Sequence, residues 1–126
     1  MKFNIPRSVR VYSESLFQLG PFTARMPDAA FLLAEKAASV PDAKVVIPVV
    51  PDVAVEVISE SETAGGTEKK VWEYLHAGVR EVWQVYPDER RVRIRMLDRL
   101  YDPAGDPVLE TPVIPGFSTK VSAFFV

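Results

Sequence analysis

The feature that most constrains the fold is an apolar run, Val53 to Ser59, with one glutamate at its centre. Such a continuous apolar stretch is typical of a strand that is covered on both faces of its sheet. A carboxylate inside a buried strand is costly unless it is paired or binds a metal. The run therefore predicts a central strand, and it marks Glu56 either as a functional acid or as half of a structural ion pair with an arginine.

The residues after this run predict a helix that crosses over to a second buried strand. A polar, glycine-bearing loop covers 61–67, and a helix is predicted over 68–77 with Thr67 as its N-cap and Gly78 at its C-terminal end. The segment 81–86 follows as a second buried strand. Strand, helix and strand in this order predict a βαβ unit with a parallel strand pair.

Further strands are predicted on both sides of that unit. Apolar alternation predicts one or two strand segments within 10–19 and another strand around 29–33, and the start of 35–50 allows one short helical turn. Charged and apolar residues alternate over 91–97, which predicts a strand with one solvent face. The apolar end, 123–126, is predicted to pack back onto the sheet. The predicted fold class is α+β, with a mixed sheet and a crossover helix in a single domain over 1–126.

Composition narrows the possible chemistry. The chain of 126 residues has no cysteine and a single histidine, His76, so thiolate chemistry and a multi-histidine zinc centre are excluded. A bound metal would need oxygen ligands, which suit magnesium, manganese or calcium. The net charge of -2 argues against a dedicated nucleic-acid coat protein, although an enzyme could still use a local basic patch. No signal peptide and no membrane span are recognised, which predicts a cytoplasmic protein.

Strand geometry selects the carboxylates that could share a metal with Glu56. Asp52 lies on the same predicted strand face, but four residues of strand separate the Cα atoms by ~13 Å, too far for comfortable sharing of one ion. A carboxylate on an adjacent strand, ~4.8 Å away, is the better partner. Asp28 follows Pro27 just before the earlier strand and meets this requirement. Asp52 is more simply explained as a strand-entry residue that binds loop amides.

Several ordered motifs resemble the Uma-type family of putative restriction endonucleases, within the PD-(D/E)xK nuclease superfamily. The resemblance runs from about Arg10 to the C-terminus, and it rests on motifs that occur in the family's order: Pro27-Asp28, the segment 51–59, Lys70-x-x-x-Tyr74, the segment 77–83 and Pro115-Gly116-Phe117. It implies a core sheet flanked by helices and an Mg²⁺ or Mn²⁺ ion held by Asp28 and Glu56.

The same resemblance implies that a lysine acts beside the metal. Ile58 stands where the commoner form of the superfamily has this lysine, and Lys70 on the following helix matches the position that Uma-type proteins use. Lys69 is the competing residue, but it could pair with Glu73 at the i+4 position. Tyr74 is interpreted as a packing residue or as a partner that holds the lysine.

The sequence departs from the family pattern at three places. The usual N-terminal helical segment is missing, Gly66 replaces an acidic residue upstream of the lysine, and Tyr86-Pro87 replaces an aspartate before proline. A shortened N-terminus should uncover apolar sheet, which predicts a homodimer.

The sequence is compatible with three functions. The leading one is an Mg-dependent endonuclease that hydrolyses DNA phosphodiesters, with Asp28, Glu56 and Lys70 as catalytic residues. The alternative is a catalytically inactive nuclease-fold module for oligomerisation or nucleic-acid binding. Arg91, Arg93 and Arg95 would be its phosphate-facing stripe, or simply a solvated strand face. The third is an unrelated structural domain in which Glu56 is salt-bridged.

Overall fold

The computed structural model describes residues 5–41 and 45–125, which form strands around two α-helices. In chain order the strands are β1 (Val9–Ser13), β2 (Leu16–Gly20), β3 (Thr23–Arg25), β4 (Ala29–Leu33), β5 (Val46–Ile47), β6 (Val53–Val57), β7 (Glu81–Tyr86), β8 (Arg91–Arg95), β9 (Leu100–Tyr101), β10 (Val108–Glu110) and β11 (Ser118–Lys120). The helices are α1 (Ala34–Ala38) and α2 (Ala64–Ala77), and a 3₁₀ turn covers Val121–Phe125.

The main sheet has six strands in the order β1-β4-β6-β7-β8-β9. β6 and β7 lie at its centre and pair in parallel, from Val53 opposite Glu81 to Val57 opposite Val85, with α2 as the connection. The other neighbouring strands pair antiparallel. This topology confirms the predicted mixed sheet, its central acidic strand and its βαβ crossover. Two smaller sheets, β3-β2-β5 and β10-β11, complete the described strands.

The two faces of the central strand meet different partners, as strand parity predicts. Val53 and Val55 face a cluster that includes Trp83 and the buried residues of the C-terminal segment. Ala54 faces the other cluster, which contains the inward face of α2. Glu56 has the parity of Ala54 and lies on the α2 face of the sheet.

The C-terminal segment covers the sheet face that lies opposite α2. The Trp83 ring contacts Phe117 and Phe124, with ring centroids 5.2 Å and 6.0 Å apart. The apolar end therefore packs onto the sheet as predicted, up to Phe125; Val126 lies outside the described residues. Because this face is covered within one chain, it does not supply the bare sheet on which the homodimer prediction was based.

Helix α2 begins earlier than predicted. Its N-cap is Thr63, whose side chain accepts a hydrogen bond from the Gly66 backbone N–H, so the prediction of Thr67 as N-cap and of a loop over 61–67 was wrong. A Cβ atom at residue 66 would lie 3.0 Å from the Thr63 hydroxyl, so glycine allows this close cap. At the other end Gly78 adopts φ +112°, a left-handed conformation that confirms its predicted C-terminal role.

No helix among residues 5–41 and 45–125 is long and apolar enough to cross a membrane.

Candidate active site

The candidate site lies at the C-terminal end of β6, where two carboxylates come from adjacent strands. Ala29 on β4 pairs with Val55 on β6, and continuing this antiparallel register by one residue puts Asp28 opposite Glu56. The Asp28 side chain is fixed there because its Oδ2 accepts a 2.7 Å hydrogen bond from the Val57 backbone N–H. Asp28 is exposed, whereas Glu56 is buried. The structure thus brings the two predicted acids to one end of the strand pair.

Tyr74 on α2 holds the Glu56 carboxylate. The phenol is fully buried and donates a 2.6 Å hydrogen bond to Glu56 Oε1. The sequence interpretation of Tyr74 as packing, or as a partner of the lysine, missed this contact. Tyr74 lies one helical turn beyond Lys70, so the same helix face presents both a hydrogen-bond donor and a cation to the acidic end of β6.

The environment of Glu56 disfavours its ionised form. Burial raises the pKa of Glu56, and the negative charges of Asp28 and Glu62 raise it further, while the Tyr74 hydrogen bond and the Lys70 charge lower it. The net result is a pKa above the ordinary glutamate value of 4.5. Burial and the adjacent Glu56 charge also raise the pKa of Tyr74, which keeps the phenol protonated as a donor. A cation bound beside the two carboxylates would relieve their mutual repulsion.

Lys70 is held near Glu56 by a second acid, Glu62. The Lys70 ammonium lies 3.9 Å from Glu62 Oε2, and the Thr67 hydroxyl donates to the same oxygen at 3.3 Å. Glu62 immediately precedes Thr63, the N-cap of α2. Its contact with Lys70 therefore depends on the helix beginning at Ala64 and not at residue 68. The family pattern has an acidic residue where this chain has Gly66, and Glu62 was not among the predicted site residues.

The two lysines on α2 differ in their surroundings. The Lys70 side chain is 33% exposed and its charge acts on Glu56, whereas Lys69 is exposed and its charge acts on Glu73. The predicted pairing of Lys69 with Glu73 is not the dominant contact: Glu73 forms a 2.7 Å ion pair with Arg25 on β3. Of the two lysines, Lys70 is therefore the one that lies on the helix face near Glu56.

Asp52 lies apart from these groups, as the spacing argument predicts. It is buried at the start of β6, where Oδ2 accepts from the Leu33 backbone N–H at 2.8 Å and Oδ1 accepts from Lys36 at 3.0 Å. This is the strand-entry role that the sequence favoured for it. No buried ion pair between Glu56 and an arginine is found among the described residues, so the structural-pair reading of Glu56 has no support there.

The arginines of β8 lie on the same sheet face as Glu56. Val92 and Ile94 point into the opposite cluster, so the alternating arginines point toward the α2 side. They are half-buried and ion-paired: Arg91 and Arg93 contact Asp102 at 2.8 Å and 3.2 Å, and Arg95 contacts Glu68. The predicted strand is confirmed, but its charged face is paired with carboxylates instead of being freely solvated.

The donor set suits a hard divalent cation. Among the described residues there is no group of three or more His, Cys, Asp or Glu side chains that could hold a metal. Asp28 and Glu56 nevertheless provide two adjacent carboxylates, and Mg²⁺ is commonly bound through one or two carboxylates while it keeps several waters. The residues present therefore fit Mg²⁺ or Mn²⁺, and they do not fit zinc.

The fold is a mixed sheet with a crossover helix, and the candidate site combines two adjacent carboxylates with a lysine from that helix. The chain belongs to the family described as "Uma2: Putative restriction endonuclease", whose family model matches residues 3–122.

A solved structure supports the same fold. The crystal structure of "a putative nuclease belonging to DUF820" from Anabaena variabilis ATCC 29413 is similar to this chain with a TM-score of 0.76 and 17% identity, covering 94% of this chain and 69% of the other. The comparison with curated proteins found no match. Together the family and the fold confirm the resemblance and the fold class that the sequence predicted.

Proposed function

We propose that this protein is a divalent-metal-dependent endonuclease that hydrolyses DNA phosphodiester bonds at the C-terminal end of β6. The observation that supports this most strongly is the convergence of Asp28 and Glu56 from adjacent strands, with Lys70 acting on Glu56 from α2. Membership of the family described as "Putative restriction endonuclease" supports phosphodiester chemistry on DNA.

Each residue of the site has a role that follows from its contacts. Asp28 and Glu56 would hold Mg²⁺ or Mn²⁺, and such an ion supplies Lewis acidity and lowers the pKa of a bound water. The Val57 N–H and the Tyr74 hydroxyl orient these two carboxylates. The Lys70 ammonium stabilises negative charge that develops on the scissile phosphate.

Glu62 completes this arrangement as a positioning residue. Its carboxylate keeps the Lys70 ammonium at the mouth of the site and is itself held by Thr67. A lysine side chain has many rotamers, so a fixed anion nearby reduces the entropy that is lost when the ammonium meets a phosphate.

The test is a plasmid cleavage assay with Mg²⁺ or Mn²⁺, with Glu56→Gln as the inactive variant. Asp52→Asn is the matched control because Asp52 is a buried carboxylate of the same strand that lies outside the site. We expect metal-dependent nicking by the wild type and by Asp52→Asn, and none by Glu56→Gln. Cleavage that persists in Glu56→Gln contradicts the proposal. A folded wild type that never cleaves DNA supports the inactive-module reading instead.

A homodimer and a cytoplasmic location stay predictions of the sequence. Sedimentation at micromolar concentration tests the first of them. A compact monomer contradicts the homodimer prediction. Because the sheet face opposite α2 is covered within the chain, a dimer would have to use other exposed apolar residues, such as Trp72 and Phe22.

A further inference from the structure

A buried amide without a partner lies beside the candidate site. Gln84 on β7 is 1% exposed, and neither its Nε2 nor its Oε1 has a hydrogen-bond partner among the described residues. A buried polar group without a hydrogen-bond partner destabilises the folded state. Unsatisfied groups of this kind are rare in native proteins, and each calls for a physical reason.

The position of Gln84 in the sheet supplies that reason. In the parallel pair Gln84 lies directly opposite Glu56, and in the antiparallel pair on its other side it lies opposite Arg93. Paired residues on adjacent strands place their side chains on one face, with Cβ atoms ~5 Å apart. Glutamine and glutamate have side chains of equal length, so the amide and the carboxylate end at the same height above the sheet.

The amide therefore lies between an anion and a cation. Its NH₂ group can only donate hydrogen bonds and its carbonyl oxygen can only accept them. The Glu56 carboxylate requires donors. The Arg93 guanidinium donates through Nε to Asp102 and lies over the Tyr86 ring, and its other N–H groups require acceptors. The structure shows neither amide atom in a hydrogen bond. Because the terminal torsion of glutamine is broad, a rotation of low cost would direct Nε2 toward Glu56 and Oε1 toward Arg93.

We propose that Gln84 is a positioning residue that bridges Glu56 and Arg93 through its amide. Tyr74 donates to one oxygen of the Glu56 carboxylate, and Gln84 supplies the donor for the other. Two donors from different elements, α2 and β7, fix both the position and the plane of the carboxylate. The consequence for cation binding rests on the proposed function, whereas the bridge itself does not.

The bridge is tested first in the metal-free protein by NMR of the glutamine side-chain amides. Gln84→Met identifies the Gln84 resonances by their loss. We expect one Nε2 proton of Gln84 to lie downfield of the other glutamine side-chain amide protons, because charge-assisted hydrogen bonds are the stronger ones. This displacement should disappear in Glu56→Met and persist in Asp52→Asn. Gln84 protons at ordinary positions in the wild type overturn the proposal. The chain has two glutamines, Gln18 and Gln84, so loss of the Gln18 resonances in Gln18→Met gives the same assignment if Gln84→Met does not fold.

The positioning role is tested by Mn²⁺ titration calorimetry on the wild type and on Gln84→Met. Loss of a group that orients a metal ligand typically weakens metal binding ~10–100-fold, and we expect a loss in that range. An unchanged Mn²⁺ affinity in folded Gln84→Met overturns the positioning role. If the wild type binds no Mn²⁺, the proposed metal site fails, and the NMR result alone decides whether the amide bridge exists.

Discussion

The buried polar side chains at the two ends of the central strand pair differ in how many hydrogen bonds they form. At the N-terminal end, Asp52 accepts two hydrogen bonds at 2.8 Å and 3.0 Å, and Glu81 accepts two from Trp83 and Thr111 at 2.9 Å and 2.8 Å. At the C-terminal end, Glu56 accepts one hydrogen bond from Tyr74, and Gln84 has no partner among the described residues.

This difference in hydrogen bonding distinguishes a structural end of the strand pair from a functional end. Carboxylates in which both oxygens accept from donors of the fold stabilise the folded state. A buried carboxylate with a raised pKa and a neighbouring acid is instead costly to the fold and suited to a cation. We therefore interpret the N-terminal end as scaffold and the C-terminal end as site.

The largest expected effect is on catalysis and comes from Lys70. Lys70→Ala should lower DNA cleavage by about 100-fold or more, because it removes a charge aimed at the developing phosphate charge. Lys69→Ala is the matched control on the solvent side of α2 and should retain activity. Cleavage rates measured side by side test this pair, and equal losses in both variants would show that the position of Lys70 is not special.

The next largest effect is on the stability of the fold, and it concerns Asp52 at the N-terminal end of β6. Asp52→Ala should destabilise the fold by ~2–3 kcal/mol, because it leaves the Leu33 N–H without its acceptor and the Lys36 ammonium with only the Val50 carbonyl. Urea unfolding monitored by Trp fluorescence measures the change. A loss below 0.5 kcal/mol, the usual scale of surface substitutions, would place Asp52 outside the scaffold.

Tyr74→Phe should have a smaller effect that falls on the site. It removes the hydrogen bond that lowers the pKa of Glu56, so the carboxylate should ionise at higher pH and Mn²⁺ affinity near neutral pH should fall by ~10-fold. The affinity should recover in part as the pH rises, since deprotonation of Glu56 then costs less. Titration calorimetry at several pH values checks both points, and a loss independent of pH would argue for a packing defect.

The smallest expected effect is a gain in stability from Glu56→Gln. Burial raises the pKa of Glu56 in the folded state, so the ionised carboxylate opposes folding once the pH exceeds the ordinary value of 4.5. Glu56→Gln should therefore be more stable than the wild type near neutral pH, by less than the loss at Asp52, and the difference should shrink toward acid pH. Urea unfolding across pH measures it. If the variant is less stable than the wild type at neutral pH, Glu56 is a residue that stabilises the fold, and the prediction is wrong.

Much of the fold could be predicted because hydrophobic pattern and strand parity are local properties. The run around Glu56 indicated the central strand. The spacing along that strand excluded Asp52 and favoured Asp28, which precedes an earlier strand. The start of α2 was mispredicted because Gly65 and Gly66 look like a loop, whereas a cap by Thr63 needs the small residue at position 66.

Other parts of the site depend on tertiary contacts that a linear pattern does not contain. Glu62 reaches Lys70 only because the helix begins at residue 64, and Tyr74 reaches Glu56 only because α2 lies over β6. Gln84 was interpreted only as part of a buried strand. Its place between Glu56 and Arg93 follows from two pairing registers that become known with the sheet order.

The most direct test of the central claim is the Mn²⁺-induced change in thermal unfolding midpoint for the wild type, Glu56→Gln and Asp52→Asn. A ligand that binds only the folded state raises its stability, by ~2.7 kcal/mol at a hundredfold excess over Kd. The account predicts a rise in the wild type, a similar rise in Asp52→Asn and none in Glu56→Gln. A rise that survives in Glu56→Gln, or that disappears in a folded Asp52→Asn, would contradict the assignment of scaffold and site to the two ends of β6.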